Sequence, residues 1–198
     1  MYVCTHSARP NRPHMSSNRN TTRRFDPDRK QRIIDAALDV ILEHGVQGTT
    51  HRRVAAAAGV PLGSMSYHFR GMDELLHIAF TQVARTSSSE FVARLAQARN
   101  REEAIQAIVD IIVDNIWSTP RTLLLSYELY AFAARRPELT AIMREWMQAS
   151  RDALGRFFDP LTCRALDALV EGMGIHGSVD PSLLDRKEVE DIIRRVCG

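Results

Sequence analysis

A chain of 198 residues with 44% apolar content can build one compact core or two small ones. No run approaches the roughly 20 apolar residues needed to span a bilayer and the start is polar, which points to a soluble cytoplasmic protein without a membrane partner. Cys4, Cys163 and Cys197 lack metal spacing, which disfavours a disulfide framework or a zinc site; the net charge of +2 hides a basic end, since residues 1–32 hold eight Lys and Arg against two Asp, leaving −4 on the remaining 166.

Residues 1–25 are rich in Arg, Asn, Ser, Thr and Pro without apolar periodicity, and are expected to form a basic arm, disordered when free. Arg23 and Arg24 lie nearest the folded part and are candidates for reaching a DNA minor groove, although a passive tail fits the composition equally well. From Pro27 a helical period begins: Ile33/Ile34, Ala37/Leu38 and Ile41/Leu42 recur every four residues, with Asp35, Asp39 and Glu43 opposite, read as solvated. His44-Gly45 is expected to end this helix.

The stretch Thr49–Phe69, TTHRRVAAAAGVPLGSMSYHF, holds two short helical patterns joined at Ala58-Gly59-Val60. That is the layout of a helix-turn-helix, whose second helix enters the major groove while the first crosses the backbone. Thr49 or Thr50 can cap the first helix, Val54, Ala55 and Ala58 form its small inner face, and Gly59 suits the left-handed position that ends it. In the second, Leu62, Met65 and Phe69 should point inward, leaving Gly63, Ser64, Ser66, Tyr67 and His68 for the groove. Thr50, Arg52, Tyr67, His68 and Arg70 are candidates for positioning on phosphates. Gly63 would admit a close backbone approach, and Ser64 and Ser66 could touch base edges. Tyr67 and His68 also have a packing interpretation, as a hydroxyl-tipped core residue and a satisfied neighbour of Phe69.

The threonine pair, Arg52, the Ala-rich turn, Ala58-Gly59-Val60, Gly63, Tyr67-His68-Phe69 and Asp73-Glu74-Leu75 together resemble the N-terminal signature of the tetracycline-repressor (TetR) family of bacterial regulators, over about residues 29–76. The resemblance implies a sequence-specific regulator of transcription that binds a double-stranded operator as a homodimer. Four positions depart from the family pattern: Pro61 stands where a serine often caps, Ser66 replaces an aromatic, Met72 replaces a phosphate-contacting lysine, and Arg53 replaces an acid. Arg53 thereby loses a capping box and gains a possible phosphate contact, while Arg70 could supply the charge lost at Met72.

A fourth helix is expected from Asp73 to about Ala98, with a possible kink at Ser87-Ser88-Ser89; the resemblance implies that it carries ligand occupancy to the DNA-reading helices. Further helices are expected at about 102–117, 120–134, 138–157, 161–176 and 182–196, with Pro120, Pro137, Pro160 and Pro181 near their starts. LLLSYELYAFAA is apolar almost all round and should be the buried centre of a bundle. The expected fold is thus all-α with about nine helices: a three-helix DNA-binding part over 26–72 and a helical effector-binding and dimerisation part over 73–198.

Trp117, Tyr127, Glu128, Tyr130, Met143, Trp146 and Met147 are candidates for lining a small-molecule pocket, Glu128 by orienting a cation or donor. Core packing, and a pairing of Glu128 with Arg135 or Arg144, is the competing interpretation. For the dimer seam, Leu166, Leu169, Val170 and Met173 form one stripe and Val189, Ile192, Ile193 and Val196 another, so two copies would close a four-helix bundle. Leu169-Val170-Glu171-Gly172-Met173 also resembles the dimerising helix of the family's choline-responsive branch.

No nucleophile elbow, phosphate loop, metal-spaced histidines or dinucleotide loop is visible, so neither an enzyme nor a cofactor is expected. The resulting expectation is a homodimeric repressor relieved by a small-molecule effector. A general or architectural DNA binder dominated by the basic arm, or a regulator without a ligand, remains open.

Overall fold

The computed structural model describes residues 26–114 and 119–198. Among them are nine α-helices and no strand. Helix α1 runs Arg29–Gly48, α2 His51–Ala57, α3 Gly63–His68, α4 Met72–Ala96, α5 Arg101–Val113, α6 Pro120–Ala133, α7 Thr140–Leu154, α8 Pro160–Val179 and α9 Arg186–Cys197. No helix of the described residues is long and apolar enough to cross a membrane.

Local chemistry accounts for most boundaries. Side-chain oxygens of Thr50, Asn100, Thr119, Asp159 and Asp185 accept from the first free N–H groups of α2, α5, α6, α8 and α9. Pro120 and Pro160 occupy the first turns of α6 and α8, where a missing N–H costs nothing. Pro137 and Pro181 instead open short 3-10 turns, Pro137–Leu139 and Pro181–Leu184, so α7 and α9 begin later than the prolines suggested. Helix α5 stops at Val113; its expected extension to 117 falls outside the described residues. Helix α4 is continuous through Ser87-Ser88-Ser89. At 1.5 Å per residue its 25 residues span roughly 37 Å.

Helix α1 is broken where His44-Gly45 was expected to end it. Gly45 adopts φ 67, a left-handed conformation that glycine tolerates, and the chain then re-enters a last helical turn to Gly48.

Two cores hold the helices together. The N-terminal one joins α1, α2, α3 and the first half of α4 to α6 and the first half of α7, around Ile33, Met65, Leu75, Phe80 and Leu129. The C-terminal one joins the end of α4 to α5, α8, α9 and the segment Leu154–Phe158, around Leu95, Ile108, Leu166 and Ile193. Helix α4 is common to both, so any tilt of α4 is felt at both ends. Phe80 is fully buried against Phe132, ring centres 5.6 Å apart, and truncating it would cost about 3–5 kcal/mol. Helix α6 buries Leu125, Ser126, Leu129, Phe132 and Ala133 while Leu124 and Ala131 stay exposed. It is therefore one-sided rather than buried all round, because it lies across α1 and α4 at the edge of the core.

Cys163 and Cys197 are buried free thiols, and burial pushes both up from the usual thiol range; Cys4 lies outside the described residues.

Candidate nucleic-acid interface and interior cavity

Thr50 Oγ1 accepts from Arg53 N at 3.3 Å and caps α2, which leaves its own hydroxyl proton free for an external acceptor. Thr49 is buried and donates to the Gly45 carbonyl at 2.8 Å, so the two threonines divide the work of joining α1 to α2. Gly59, at φ 63, ends α2 as its type suggested. Helix α3 turns Met65 and Phe69 into the core, but Leu62 is 52% exposed. Leu62 is the N-cap of α3 and not part of its first turn, so the expected inward stripe begins one turn later.

The five residues expected to face a groove differ in exposure on α3. Tyr67 is 81% exposed, Ser66 and Gly63 are exposed, and Ser64 and His68 are half-buried. A Cβ added at Gly63 would meet nothing in the subunit, so the space there lies on the solvent side. Ser66 Oγ donates to the Gly63 carbonyl at 3.2 Å and keeps its lone pairs outward. His68 stacks edge-on to Tyr67 with ring centres 5.0 Å apart, which restrains the tyrosine. Tyr67 is thus not a core residue.

Arg52 and Arg70 are exposed and make no side-chain ion pair among the described residues, whereas Arg53 Nη1 donates to the Gly48 carbonyl at 2.5 Å. Arg53 therefore caps the C-terminal end of α1, a local role that competes with the phosphate contact suggested for it. Lys30, not singled out from sequence, holds its ammonium 5.8 Å from the Phe69 ring centre and adds a base beside the end of α3. Only folding brings it there, because 39 residues separate the two positions. Arg23 and Arg24 lie outside the described residues.

Helix α6 and the turn just after it are tied to the DNA-reading end by charged contacts. Glu128 Oε2 accepts from Val46 N at 3.2 Å, immediately after the break at Gly45. Arg121 pairs with Asp39 of α1 at 2.5 Å, and Arg136 with Asp73 of α4 at 2.7 Å. Asp39 is exposed, as expected of a solvated acid, and also carries this surface ion pair. Among the described residues Glu128 makes no pair with Arg135 or Arg144; its carboxylate satisfies a backbone N–H that the break in α1 leaves free.

A small cavity of ≈ 20 Å³ lies between α4, α7 and α8, lined by Ser87, Phe91, Trp146, Ser150, Asp167, Val170 and Glu171. Of the expected pocket residues, Trp146 lines it and Tyr130 adjoins it, donating from its hydroxyl to Glu171 Oε2 at 2.6 Å. Met143 is buried in the N-terminal core with Met147 packed partly against it, and Tyr127 sits at the α6–α8 edge, 3.2 Å from Ser178 Oγ. These three do not reach the cavity wall, and Trp117 lies outside the described residues.

Asp167 and Glu171, the acids of the cavity, were missed. The available signal was their spacing: four apart in α8, they share the inward face of the Leu166/Val170 stripe. Arg151 Nε donates to Asp167 Oδ2 at 2.8 Å. Burial pushes the Asp167 carboxyl up, against the pull of Arg151; burial also raises Glu171, partly offset by the Tyr130 hydrogen bond, and raises Tyr130 itself. No group of three or more His, Cys, Asp or Glu among the described residues could hold a metal ion.

The dimer stripes require correction. Leu166, Val170, Val189 and Ile193 are buried in the subunit's own C-terminal core and are unavailable to a partner, while Leu169, Met173 and Val196 are half-buried and Ile192 is exposed. The apolar residues that α8 does leave outward are Leu161, at 74% exposure, Ala165, Ala168, Ile175 and Val179, at 84%, with half-buried Gly172 among them.

Residues 33–78 match the family model described as bacterial regulatory proteins, tetR family, and residues 99–198 match that of the tetracyclin repressor-like C-terminal domain. The crystal structure of SCO7518 from Streptomyces coelicolor A3(2) is similar at 40% identity and a TM-score of 0.81, covering 87% of this chain and 99% of that one. Multidrug binding protein EbrR complexed with ethidium is similar at 33% identity and a TM-score of 0.73, covering 87% and 99%. The HTH-type transcriptional regulator BetI 1 of Chromohalobacter salexigens is 27% identical over 170 residues, 81% of this chain and 84% of the relative.

Proposed function

This chain belongs to the tetracycline-repressor family of DNA-binding transcriptional regulators, and from that premise we propose that it is a homodimeric repressor released from its operator by a small molecule. Residues 26–72 form the DNA-reading part, residues 73–198 the effector-binding and dimerising part, and residues 1–25 a basic arm. The observation that carries this is the outward face of α3. The exposed tyrosine and its neighbouring hydroxyls share the DNA-reading end with exposed Arg52 of α2, Arg70 just after α3, and Lys30 beside Phe69, a mixture of hydrogen-bonding and cationic groups suited to base edges and phosphates.

The seam for the second copy is the outer face of α8. Leu161, Ala165, Ala168, Gly172, Ile175 and Val179 alternate at four and three residues, the spacing by which two helices pack along a shared stripe, and the small residues at its middle permit close approach. Pairing also duplicates the α3 helices, so that each six-residue reader addresses one half-site.

Effector control is supported by the cavity under α4 and by EbrR, whose structures hold ethidium and proflavin. A ligand larger than ≈ 20 Å³ must part α4 from α7 and α8, and α4 begins at the DNA-reading end. The Glu128 and Arg121 contacts, with that of Arg136 just after the helix, make α6 and the turn that follows it a second connection to that end.

The test is genome-wide footprinting of the purified protein, followed by titration of the recovered site against unrelated DNA at physiological salt. A site bound about a thousandfold or more over unrelated DNA is expected. Equal affinity for all sequences would instead support an architectural binder dominated by the basic arm.

A further inference from the structure

The acids of the cavity are unequally served. Asp167 is 7% exposed and has a full counter-charge in Arg151 at 2.8 Å. Glu171, one turn further along α8, receives a single hydrogen bond, from the neutral Tyr130 hydroxyl at 2.6 Å, although a carboxylate offers about four acceptor positions. Two carboxylates share one guanidinium, so the half-buried Glu171 is compensated only in part, by the more distant charge of Arg151. Such a charge is costly to hold unless something positive visits it.

The opposite wall carries an independent sign of a missing occupant. Ser87, on α4, is 5% exposed and lines the cavity, and its hydroxyl makes no hydrogen bond among the described residues. Buried hydroxyls are ordinarily paired, so one opening unpaired onto a cavity invites a polar ligand atom or a water. The remaining walls are rings: Phe91 from α4 and Trp146 from α7, with Tyr130 behind, its ring centre 6.3 Å from that of Trp146. Aromatic faces are electron-rich and attract cations, most strongly where water is excluded.

We propose that this cavity is a binding site for an organic cation with an apolar or aromatic body, Glu171 acting as its counter-ion, Phe91 and Trp146 as its flanking surfaces and Ser87 as a hydrogen-bonding partner. The inference rests on the effector function proposed above and names the class of effector. The volume of ≈ 20 Å³ holds about one water, so the cation enters by displacing α4, and the cost of that displacement is met by neutralising Glu171. Burial, which raises the Glu171 carboxyl, is the same penalty that the cation relieves.

The test is calorimetric titration of the full chain, free of DNA, with two cations of different size, ethidium and benzyltrimethylammonium, and with neopentylbenzene, the uncharged isostere of the second. The same titrations are run on Glu171→Gln, which keeps the volume and can still accept from Tyr130. At least one cation should bind, the isostere at least tenfold more weakly, and Glu171→Gln should lose tenfold or more in cation affinity with its melting temperature not lowered. Equal binding of cation and isostere, equal affinity in Glu171→Gln, or no binding of either cation overturns the site. Operator release is read separately by fluorescence polarisation with benzyltrimethylammonium. Binding through Glu171 without operator release upholds the site and defeats the effector function, whereas release by neutral or anionic metabolites alone upholds effector control and defeats the site.

Discussion

Replacing Glu128 by alanine removes the acceptor that α6 supplies to Val46 N at 3.2 Å. The break at Gly45 starts a new helical turn whose first N–H groups lack intrahelical partners, and Val46 is half-buried, so water replaces the carboxylate poorly. Hydrogen bonds to charged groups contribute about 1.5–3 kcal/mol, and the length of this one places it near the lower end, about 1.5 kcal/mol or roughly tenfold in an equilibrium. That is comparable with whole allosteric couplings, which run at about 1–3 kcal/mol. If Glu128 links effector occupancy to the orientation of α1, the ratio of operator affinities without and with effector should fall about tenfold in Glu128→Ala. The melting temperature should drop by roughly 3–6 °C. The assay is operator polarisation at saturating and zero effector. Arg121→Ala serves as a comparison, since its pair with Asp39 is well exposed and should contribute under about 1 kcal/mol. An unchanged affinity ratio in Glu128→Ala, with the protein folded, would refute the linkage.

The other expectations concern the reading face, the seam and the buried acids. Arg52→Ala should weaken operator and unrelated DNA alike and lower the salt slope by about one, and Tyr67→Phe should cost about tenfold on both; replacing Ser64 or Ser66 should instead reorder preferences among related sites in a competition gel shift. Ala168→Glu places a charge in the middle of the α8 seam, so sedimentation should show monomer and operator affinity should fall by about a hundredfold or more. Arg151→Met leaves Asp167 buried without its counter-charge and should destabilise by about 3 kcal/mol, read as a drop of roughly 6–12 °C in melting temperature. Because the Glu171 carboxyl is raised in the fold, the unfolded chain loses that proton first, and the group's contribution to stability falls as pH rises above about 4.5. Glu171→Gln escapes this loss, so it should be more stable than the parent at pH 7–8, and the difference should vanish near pH 4. A constant difference across that range would show that the carboxyl is not perturbed by burial.

Helix positions and the DNA-reading motif were legible because they depend on neighbours in the chain. Thr50 caps because its oxygen reaches Arg53 N three residues on, and Gly59 turns because it lacks a Cβ. Met65 and Phe69 point inward by helical period alone. Leu62 escaped this logic, since a period says nothing about where the helix starts. Arg53 escaped it too: an arginine has one composition whether it faces phosphate or the Gly48 carbonyl.

The stripes of α8 and α9 show the same limit from another side. Leu166, Val170, Val189 and Ile193 are apolar at helical spacing, and spacing identifies a buried face without saying whether the covering surface belongs to the same subunit or to a partner. The outer stripe through exposed Ala165 and Ala168 and half-buried Gly172 is weaker in hydropathy but less covered by the subunit itself, which only the fold reveals. Glu128 and Glu171 show the limit again: spacing did not reveal that Glu128 accepts from a backbone N–H of α1, nor that Glu171, read in a seam motif, lines the cavity.

The order of amino acids alone determined the all-α class, the approximate spans of most helices and the helix-turn-helix layout of Thr49–Phe69, because hydrogen bonding and periodicity within a few residues settle each of these. Tertiary structure alone decided which partner each buried or half-buried charge meets. Glu128 finds Val46 across 82 positions, Arg151 finds Asp167 across 16, and Tyr130 finds Glu171 across 41. Electrostatic partnership depends on distance in space and on the water excluded around it, and neither is written in the spacing of residues along a chain.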